Sequence, residues 1–209
     1  MMSLYSEGVV VPEGFRTRGF WVRPLRETDA EADYEAVMDS PSTLRVWSQS
    51  SWPPDDFTLE SNRADLAQHE AEHVERVAFT YTVMASSGSP CLGCIYMNDL
   101  RFVLEQMGAS TEELARAGDT GAYVTFWIRA SRWADGMDRR LLGLLLEWLD
   151  KEWSFPLVSF GTKTTDPRQQ NLFTDHGLVE RWRYPIRDTG ESFLIYTSGQ
   201  PLGRASGQR

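Results

Sequence analysis

The stretch that decides the fold is WIRASRWADGMDRRLL, residues 127–142. It continues a run of aromatic and β-branched residues from Ala122 to Ile128, which predicts a strand, and it leads into an amphipathic pattern that predicts a helix from Met137 to about Trp153. A strand that passes through a short loop into a helix presents unpaired backbone N–H groups and the positive end of the helix dipole. Because such a place binds phosphates, the stretch predicts a diphosphate site.

Strands and helices alternate on both sides of this stretch. Alternating or apolar runs predict further strands near 20–23, 79–84, 91–97, 157–161, 178–184 and 192–197. Capping residues and composition predict helices near 27–39, 58–77, 111–116 and 167–176, with Ser40-Pro41 breaking the first. No internal repeat interrupts this order, so we predict an α/β (α+β) fold in which one mixed central sheet is flanked by helices.

Length and composition predict one domain with decorations. The chain has 209 residues, of which 41% are hydrophobic, and this is enough apolar material for one sizeable core. We predict a loosely ordered N-terminal arm over residues 1–15, a single domain over 16–200 with an insertion near 100–120, and a flexible tail over 201–209. Both ends lack the apolar periodicity that would hold them.

The charge balance excludes some partners. Thirty acidic and twenty-one basic residues give a formal net charge of −9, which would repel a nucleic-acid backbone and suits an amine-bearing acceptor. The longest apolar runs fall short of the roughly 20 residues that a membrane helix needs, and no signal pattern opens the chain. We therefore predict a cytoplasmic protein with no nucleic-acid or membrane partner.

The loop at residues 127–142 resembles the coenzyme A loop of the GNAT acetyltransferases, whose pattern is Q/R-x-x-G-x-G/A before an apolar helix. Trp133 stands in the Gln/Arg place, as in the ribosomal-protein N-terminal acetyltransferase-like subgroup, Gly136 is the central glycine, and Asp138 takes the last small-residue place. The resemblance covers roughly residues 20–197. It implies a GNAT-type fold, acetyl-CoA as acyl donor, no metal, and cofactor contacts from Trp127, Ile128, Arg129, Arg132, Trp133, Ala134, Asp135, Gly136, Met137, Asp138 and Arg139. The alternative for Asp135 and Asp138 is that both cap the helix.

A second segment, residues 166–178, is similar in spacing to the family pattern N-x-x-S/A-x-x-L-Y-x-x-x-G-F. Leu172 and Gly177 fit it, whereas Phe173 replaces the tyrosine that protonates the departing thiolate in many members. The resemblance thus implies an N-acetyltransferase acting by direct attack in a ternary complex, with homodimerisation common in the family. It leaves open a catalytically degenerate binding or assembly protein.

The acceptor side has less specific candidates. Direct acyl transfer needs a general base, for which we predict Asp99 first and Asp166 second, the alternative for Asp99 being a strand-ending turn residue. Trp47, Trp52 and Tyr96 are the candidates for an acceptor pocket that takes a small-molecule or protein amine. Most tryptophans, however, belong to cores.

Two patterns raise the question of a metal. Cys91 and Cys94 form a lone C-x-x-C without a second ligand pair, and at three-residue spacing on a strand they should face opposite sides, so we predict ordinary strand cysteines and no metal. His69-Glu70-Ala71-Glu72-His73 spells H-E-x-x-H, the helix pattern of zinc proteases. Charged flanking residues favour a solvated helix, which leaves a zinc metalloprotease as a remote alternative.

Overall fold

The computed structural model describes residues 4–48, 50–118 and 121–198, so the predicted tail at 201–209 lies outside the described residues. The strands are β1 (Phe15–Arg16), β2 (Phe20–Pro24), β3 (Phe79–Ala85), β4 (Cys91–Asp99), β5 (Ala122–Ile128), β6 (Val158–Lys163), β7 (Leu178–Pro185) and β8 (Ser192–Ser198). The α-helices are α1 (Ala30–Asp39), α2 (Pro41–Ser48), α3 (Leu59–Glu75), α4 (Leu100–Gln106), α5 (Thr111–Ala117), α6 (Met137–Glu152) and α7 (Pro167–Asp175). Short 3-10 turns precede α1 and α6.

The strands form one mixed sheet in the order β1-β2-β3-β4-β5-β6-β8-β7. Neighbours from β1 to β4 are antiparallel, β5 and β6 are parallel, and β8 runs antiparallel to both β6 and β7. This confirms the predicted fold class of a mixed sheet with flanking helices. Among the described residues, no helix combines the length and apolar composition that crossing a membrane requires.

The chain divides into two compact units, of which the first comprises Met1–Met97 and Thr125–Leu141. Its core is built where apolar faces of α1, α2 and α3 meet side chains of β3, β4 and β5. The buried members of this core include Leu25, Ala36, Val37, Leu44, Phe57, Leu66, Met84, Cys91, Cys94 and Trp127. This unit contains the predicted diphosphate loop.

The second unit comprises Asn98–Val124 and Leu142–Arg209. One of its apolar clusters joins Leu100 and Leu104 of α4 to Tyr123, Trp182 and Ile195 on the strands. The predicted insertion therefore contributes to a core: the helix predicted at 111–116 is α5, and a further helix, α4, precedes it. We did not predict α4, although Asp99 caps it, because we treated residues 100–120 as an insertion with one short helix at 111–116.

Helix α2 is a correction to the predicted break at Ser40-Pro41. Ser40 does end α1, but Pro41 is the first residue of a new helix. Proline is favoured in the first turn because its missing N–H would have no intrahelical partner there. At Ser40-Pro41 one helix therefore ends and another begins directly, without an intervening loop.

Arg76 holds part of the segment that we predicted to be a loose arm. It ends α3 in the left-handed conformation, with φ of 60°, and its carbonyl accepts a hydrogen bond from the Leu4 amide at 2.8 Å. Its guanidinium donates to the carbonyls of Ser6 and Val9 at 2.8 and 2.7 Å. Leu4 is buried as a result.

Candidate functional site

The loop between β5 and α6 is fixed by hydrogen bonds at its start. The Arg129 amide donates to the Leu92 carbonyl at 2.9 Å, and the Ala130 amide donates to Ser40 Oγ at 3.1 Å. Gly136 then adopts a left-handed φ of 64°, a conformation that favours glycine, and α6 begins at the next residue. The predicted turn from strand to helix is thus present.

Guanidinium groups beside this loop have buried N–H atoms without a hydrogen-bond partner. Nε and Nη2 of Arg129 are buried in this way, and its Nη1 lies 4.0 Å from Asp39 Oδ2. Nε of Arg132 is also buried and unpartnered, while its Nη2 lies 3.1 Å from Asp135 Oδ2. Since buried guanidinium N–H groups are normally paired with oxygen acceptors, these atoms fit an anionic ligand such as a diphosphate.

The two aspartates of the loop compete for groups that a diphosphate would use. Asp135 pairs with Arg132, and the buried Asp138 accepts a hydrogen bond at 2.9 Å from the Arg139 amide in the first turn of α6. The capping alternative therefore applies to Asp138. The amides of Ala134 and Asp135 donate to no protein acceptor among the described residues, so part of the loop backbone is available to a ligand.

Strand β4 passes very close to the end of β5. A Cβ atom on Gly93 would lie 2.0 Å from the Trp127 carbonyl oxygen and 3.0 Å from the Ile128 Cα, so no larger residue fits. Trp127 also donates a long hydrogen bond of 3.4 Å from Nε1 to the Tyr96 hydroxyl. Because Gly93 has no side chain, β4 can lie this close to the backbone at the start of the loop.

A cavity of about 250 Å³ in the first unit brings together the three predicted acceptor residues. The ring centroids of Trp47 and Trp52 are 6.5 Å apart, and those of Trp47 and Tyr96 are 5.5 Å apart. The remaining lining residues are mostly polar, namely Asp33, Ser48, Ser50, Asn62, Asp65, Leu66 and His69. The cavity combines aromatic faces with acidic groups.

Acidic groups of this cavity are buried to different degrees. Asp33 is 4% exposed, and burial raises its pKa despite hydrogen bonds from Cys94 and from Asn62. Partial burial also raises the pKa of Asp65, which lies on α3 at the cavity rim. Both carboxylates would therefore gain from a cationic ligand.

His69 is the histidine among the residues that line the cavity. Its Nδ1 lies 3.1 Å from Glu72 Oε2, and its ring centroid lies 5.5 Å from that of Tyr96. A proton on Nδ1, donated to Glu72, leaves Nε2 as a proton acceptor. The sequence analysis named His69 only as a zinc ligand of the H-E-x-x-H alternative and did not name Asn62, although Asn62, Asp65 and His69 recur at helical spacing and so share one face of α3.

The carboxylates predicted as general bases lie in the second unit and do not line this cavity. Asp99 Oδ1 accepts from the Phe102 amide at 2.6 Å and caps α4. Asp166 Oδ1 accepts from the Gln169 amide at 3.0 Å and caps α7, and burial raises its pKa. Phe173 is fully buried against Phe160.

The prediction that Cys91 and Cys94 face opposite sides of β4 is wrong. In the register with β3, Val83 pairs with Gly93 but Met84 pairs with Cys91, so Leu92 is the extra residue of a β-bulge. A bulge shifts the alternation of side chains by one residue. Both thiols consequently lie on the side of Asp33.

The histidines of the H-E-x-x-H pattern lie in different surroundings. His69 faces the cavity, whereas the His73 ring packs edge-on against Phe79 and Tyr81 at 5.0 and 5.2 Å. Glu70 accepts a hydrogen bond from the Glu27 amide at 2.7 Å. One histidine of the motif therefore lines a cavity and the other packs in an aromatic core, so the two are not arranged around one shared ligand.

Solved structures resemble the chain, although no protein-family model and no curated protein matches it. The ribosomal-protein-S5-alanine acetyltransferase from Vibrio fischeri is 16% identical with a TM-score of 0.66, covering 88% of this chain and 95% of its own. The ribosomal L7/L12 alpha-N-protein acetyltransferase in complex with coenzyme A is 12% identical with a TM-score of 0.66, covering 87% and 94%. The microcin C7 self-immunity acetyltransferase in complex with acetyl-CoA and AMP is 11% identical with a TM-score of 0.69, covering 90% and 97%. At these identities the likeness establishes the fold.

Proposed function

From the GNAT acetyltransferase fold of this chain, we propose that the protein is an N-acyltransferase that transfers an acyl group from an acyl-CoA to an amine. The observation that carries the proposal is the set of buried, unpartnered N–H groups of Arg129 and Arg132 beside the β5–α6 loop. These cationic groups belong to the loop for which the family resemblance implies an anionic cofactor, and this supports the proposal.

The acyl donor would bind through its diphosphate. Arg129 and the free amides of Ala134 and Asp135 provide donors for phosphate oxygens, and charge-assisted bonds of this kind are worth about 1.5–3 kcal/mol each. Coenzyme A and acetyl-CoA occupy two of the similar structures, which supports the same ligand class here. Backbone groups near Trp127 would hold the pantetheine arm, as the family resemblance implies.

The acceptor would be a cationic amine whose end enters the aromatic cavity. Trp47, Trp52 and Tyr96 offer π faces, and Asp33 and Asp65 offer negative charge, which together suit an ammonium group. At about 250 Å³ the cavity holds the end of an acceptor, such as a protein N-terminus, or a small amine. The S5-alanine and L7/L12 alpha-N-protein acetyltransferases, whose acceptors are proteins, make the first class the natural one to test.

His69 would supply the general base. With Nδ1 held by Glu72, Nε2 takes one proton from the ammonium group, and the neutral nitrogen then attacks the thioester carbonyl carbon. As the carbon–sulfur bond breaks, the nitrogen loses its second proton to solvent and becomes the amide. Solvent would protonate the departing thiolate, since Phe173 cannot donate a proton. We favour His69 over Asp99 and Asp166 because each of these two carboxylates caps a helix.

The alternative function is a protein that binds without turnover. Asp138 favours it, since this carboxylate accepts from a helix amide that a diphosphate would use. A degenerate protein would keep the cavity and lose catalysis. Turnover separates the two functions.

The deciding experiment is a calorimetric titration with acetyl-CoA, followed by thiol-release assays with peptide and small-molecule amines. A bound donor should stabilise the fold by about 2.7 kcal/mol at a hundredfold excess over Kd. Arg129→Gln should weaken binding about tenfold, whereas Arg183→Gln, at an exposed ion pair with Glu180 in the second unit, should not. No binding at millimolar acetyl-CoA would refute the proposal, and binding without thiol release from any amine would favour the alternative.

A further inference from the structure

Asp33, Cys91 and Cys94 converge on one point beneath the acceptor cavity. Cys94 Sγ lies 3.2 Å and Cys91 Sγ 3.9 Å from the same carboxylate oxygen, Asp33 Oδ1. Their candidate ligand atoms all lie within 4.8 Å of one another, and no other group of three or more His, Cys, Asp or Glu residues in the described part of the chain is arranged in this way. From this convergence we infer that the three side chains, here called the thiol–carboxylate cluster, form a binding site for one thiophilic divalent cation such as zinc.

The spacing of the cluster is close to that of a metal site. Zinc binds sulfur at about 2.3 Å and carboxylate oxygen at about 2.0 Å, which in a tetrahedron separates the sulfur and oxygen atoms by roughly 3.5 Å. The observed sulfur–oxygen distances of 3.2 and 3.9 Å lie on either side of that value. Small side-chain movements would therefore bring all three ligands to bonding distance.

The bulge at Leu92 creates the thiol pair. In a regular strand, residues three apart point to opposite faces, and Cys91 and Cys94 would then be separated by the sheet. The extra residue turns both thiols towards α1, which supplies the carboxylate. Bulges characteristically re-aim a side chain in this way.

Asn62 orients the carboxylate for ligation. Its Nδ2 donates to Asp33 Oδ2 at 3.1 Å and to the Ala30 carbonyl at 3.0 Å, so Oδ1 is the oxygen turned to the thiols. Metal-binding carboxylates are commonly held by such an outer hydrogen bond. Asp33 is thus an oriented metal ligand, and Asn62 is the residue that orients it.

The Cys94 thiol keeps its proton until a cation binds, because its hydrogen bond with Cys91, its burial and the charge of Asp33 raise its pKa. The pKa of Arg23 is raised by its hydrogen bonds to Asp29, and the charges of Asp29, Cys91 and Cys94 raise it further. Two thiolates and a carboxylate would bring a divalent cation to a net charge of −1, next to this guanidinium. Each thiol loses its proton as its sulfur–metal bond forms, so binding releases two protons per cation.

A cation can reach the cluster through the acceptor cavity. Cys91 and Cys94 are buried, but Asp33 also lines the cavity of about 250 Å³. A water molecule entering from the cavity would complete four-coordination, which zinc prefers. The site would thus be protein-bound on three sides and open on the fourth.

The test is a cadmium titration of the full chain, kept reduced and freed of metal by a chelator. Cadmium thiolate bonds give an ultraviolet charge-transfer band, and since Cys91 and Cys94 are the two cysteines of the chain, the band reports this site alone. We expect it to saturate at one cadmium per chain with release of two protons, and zinc to displace the cadmium. Thiol counting in denaturant beforehand verifies that no disulfide has formed.

Variants separate the ligands from the fold. Cys94→Ala should weaken cadmium binding at least about tenfold, and so should Asp33→Asn, which keeps the shape of the side chain. Circular dichroism identifies a variant that fails to fold, and Cys91→Ala then replaces it. No saturable band in folded, reduced wild type would overturn the inference, and so would a band of unchanged affinity in folded Asp33→Asn.

Discussion

His69 and His73 lie one turn apart on α3 and have opposite surroundings. The first lines a polar cavity beside Glu72, while the second is enclosed by Phe79 and Tyr81. The same residue type is therefore a candidate base at one position and a core residue at the other. Substitutions at the two positions should affect different properties.

Replacing His69 by Gln should lower turnover without unfolding the protein. Under the proposed function the substitution removes the proton acceptor, so we expect kcat to fall about a hundredfold with little change in Tm. His73→Gln is the matched control, because it should lower Tm and preserve kcat. Steady-state kinetics measure kcat and thermal melts measure Tm for both variants. Equal turnover of wild type and His69→Gln would show that His69 is not the general base.

His73 should make the folded state sensitive to acid. Burial lowers its pKa, whereas in the unfolded chain the pKa returns to about 6.5. Between these values the unfolded chain binds more protons, so the free energy of unfolding falls as pH drops through about 6.5, by at most about 1.4 kcal/mol per pH unit.

Urea denaturation of wild type and His73→Gln, from about pH 8 to about pH 5, measures this contribution. The wild-type curve should fall more steeply than that of the variant. Asp33 and Asp65 act in the opposite direction, since burial raises their pKa and the folded state then holds the extra protons. They are common to both proteins and cancel in the difference, so parallel curves would contradict the role of His73.

Among the elements, β4 and the end of β5 lie close together at a glycine, Gly93. Gly93→Ala would place a Cβ atom 2.0 Å from the Trp127 carbonyl, a contact that only backbone movement can relieve. We expect a loss of about 3 kcal/mol or more in the free energy of unfolding. Gly19→Ala is the control, since a Cβ there meets nothing within 4 Å. Similar denaturation midpoints for the two variants would show that the strands can separate.

Helix α6 carries the next prediction in its first turn. Under the proposed function, Asp138→Gly removes a carboxylate near the diphosphate and releases the Arg139 amide, so the Kd for acetyl-CoA should fall roughly tenfold. Loss of the capping interaction should cost about 1 kcal/mol of stability. Asp138→Asn keeps the hydrogen-bond acceptor and removes the charge, so it separates the two effects in calorimetry. Weaker binding by Asp138→Gly would mean that the carboxylate supports the site.

Local sequence patterns predicted the elements whose own residues show a clear hydrophobic periodicity or capping pattern, such as β3, α6 and α7. They did not predict α2, because a proline can start a helix as well as end one. The bulge at Leu92 was also missed, since it depends on pairing with β3 rather than on residues within β4. Trp47, Trp52 and Tyr96 were candidates for an acceptor pocket, which remains a prediction, and they line one cavity. The cavity itself could not be predicted, because Asp33, Asn62 and His69 meet only after α1 and α3 pack together.

At the scale of the whole molecule, the net charge of −9 acts on both proposed substrates. It attracts a cationic acceptor and repels the phosphates of the donor, and added salt weakens both effects as the Debye length falls from about 30 Å at 0.01 M to about 8 Å at 0.15 M. We therefore expect the KM of the acceptor to rise with salt and that of acetyl-CoA to fall. Acetyl-pantetheine, which carries no phosphate, is the control donor and should show no such fall. Parallel salt dependence of all three would remove net charge as the cause.

Arg76 has a consequence for engineering this protein. A search for stabilising changes would select it, because glycine relieves a left-handed backbone that other residues adopt at a cost of roughly 1 kcal/mol. Arg76→Gly would also remove the guanidinium that binds the carbonyls of Ser6 and Val9. The released segment carries Tyr5, whose ring packs on Phe79, so the substitution would expose apolar surface that favours aggregation. Thermostability libraries should therefore keep arginine at this position, and fusion partners at the amino terminus need a spacer that leaves Leu4 and Tyr5 in place.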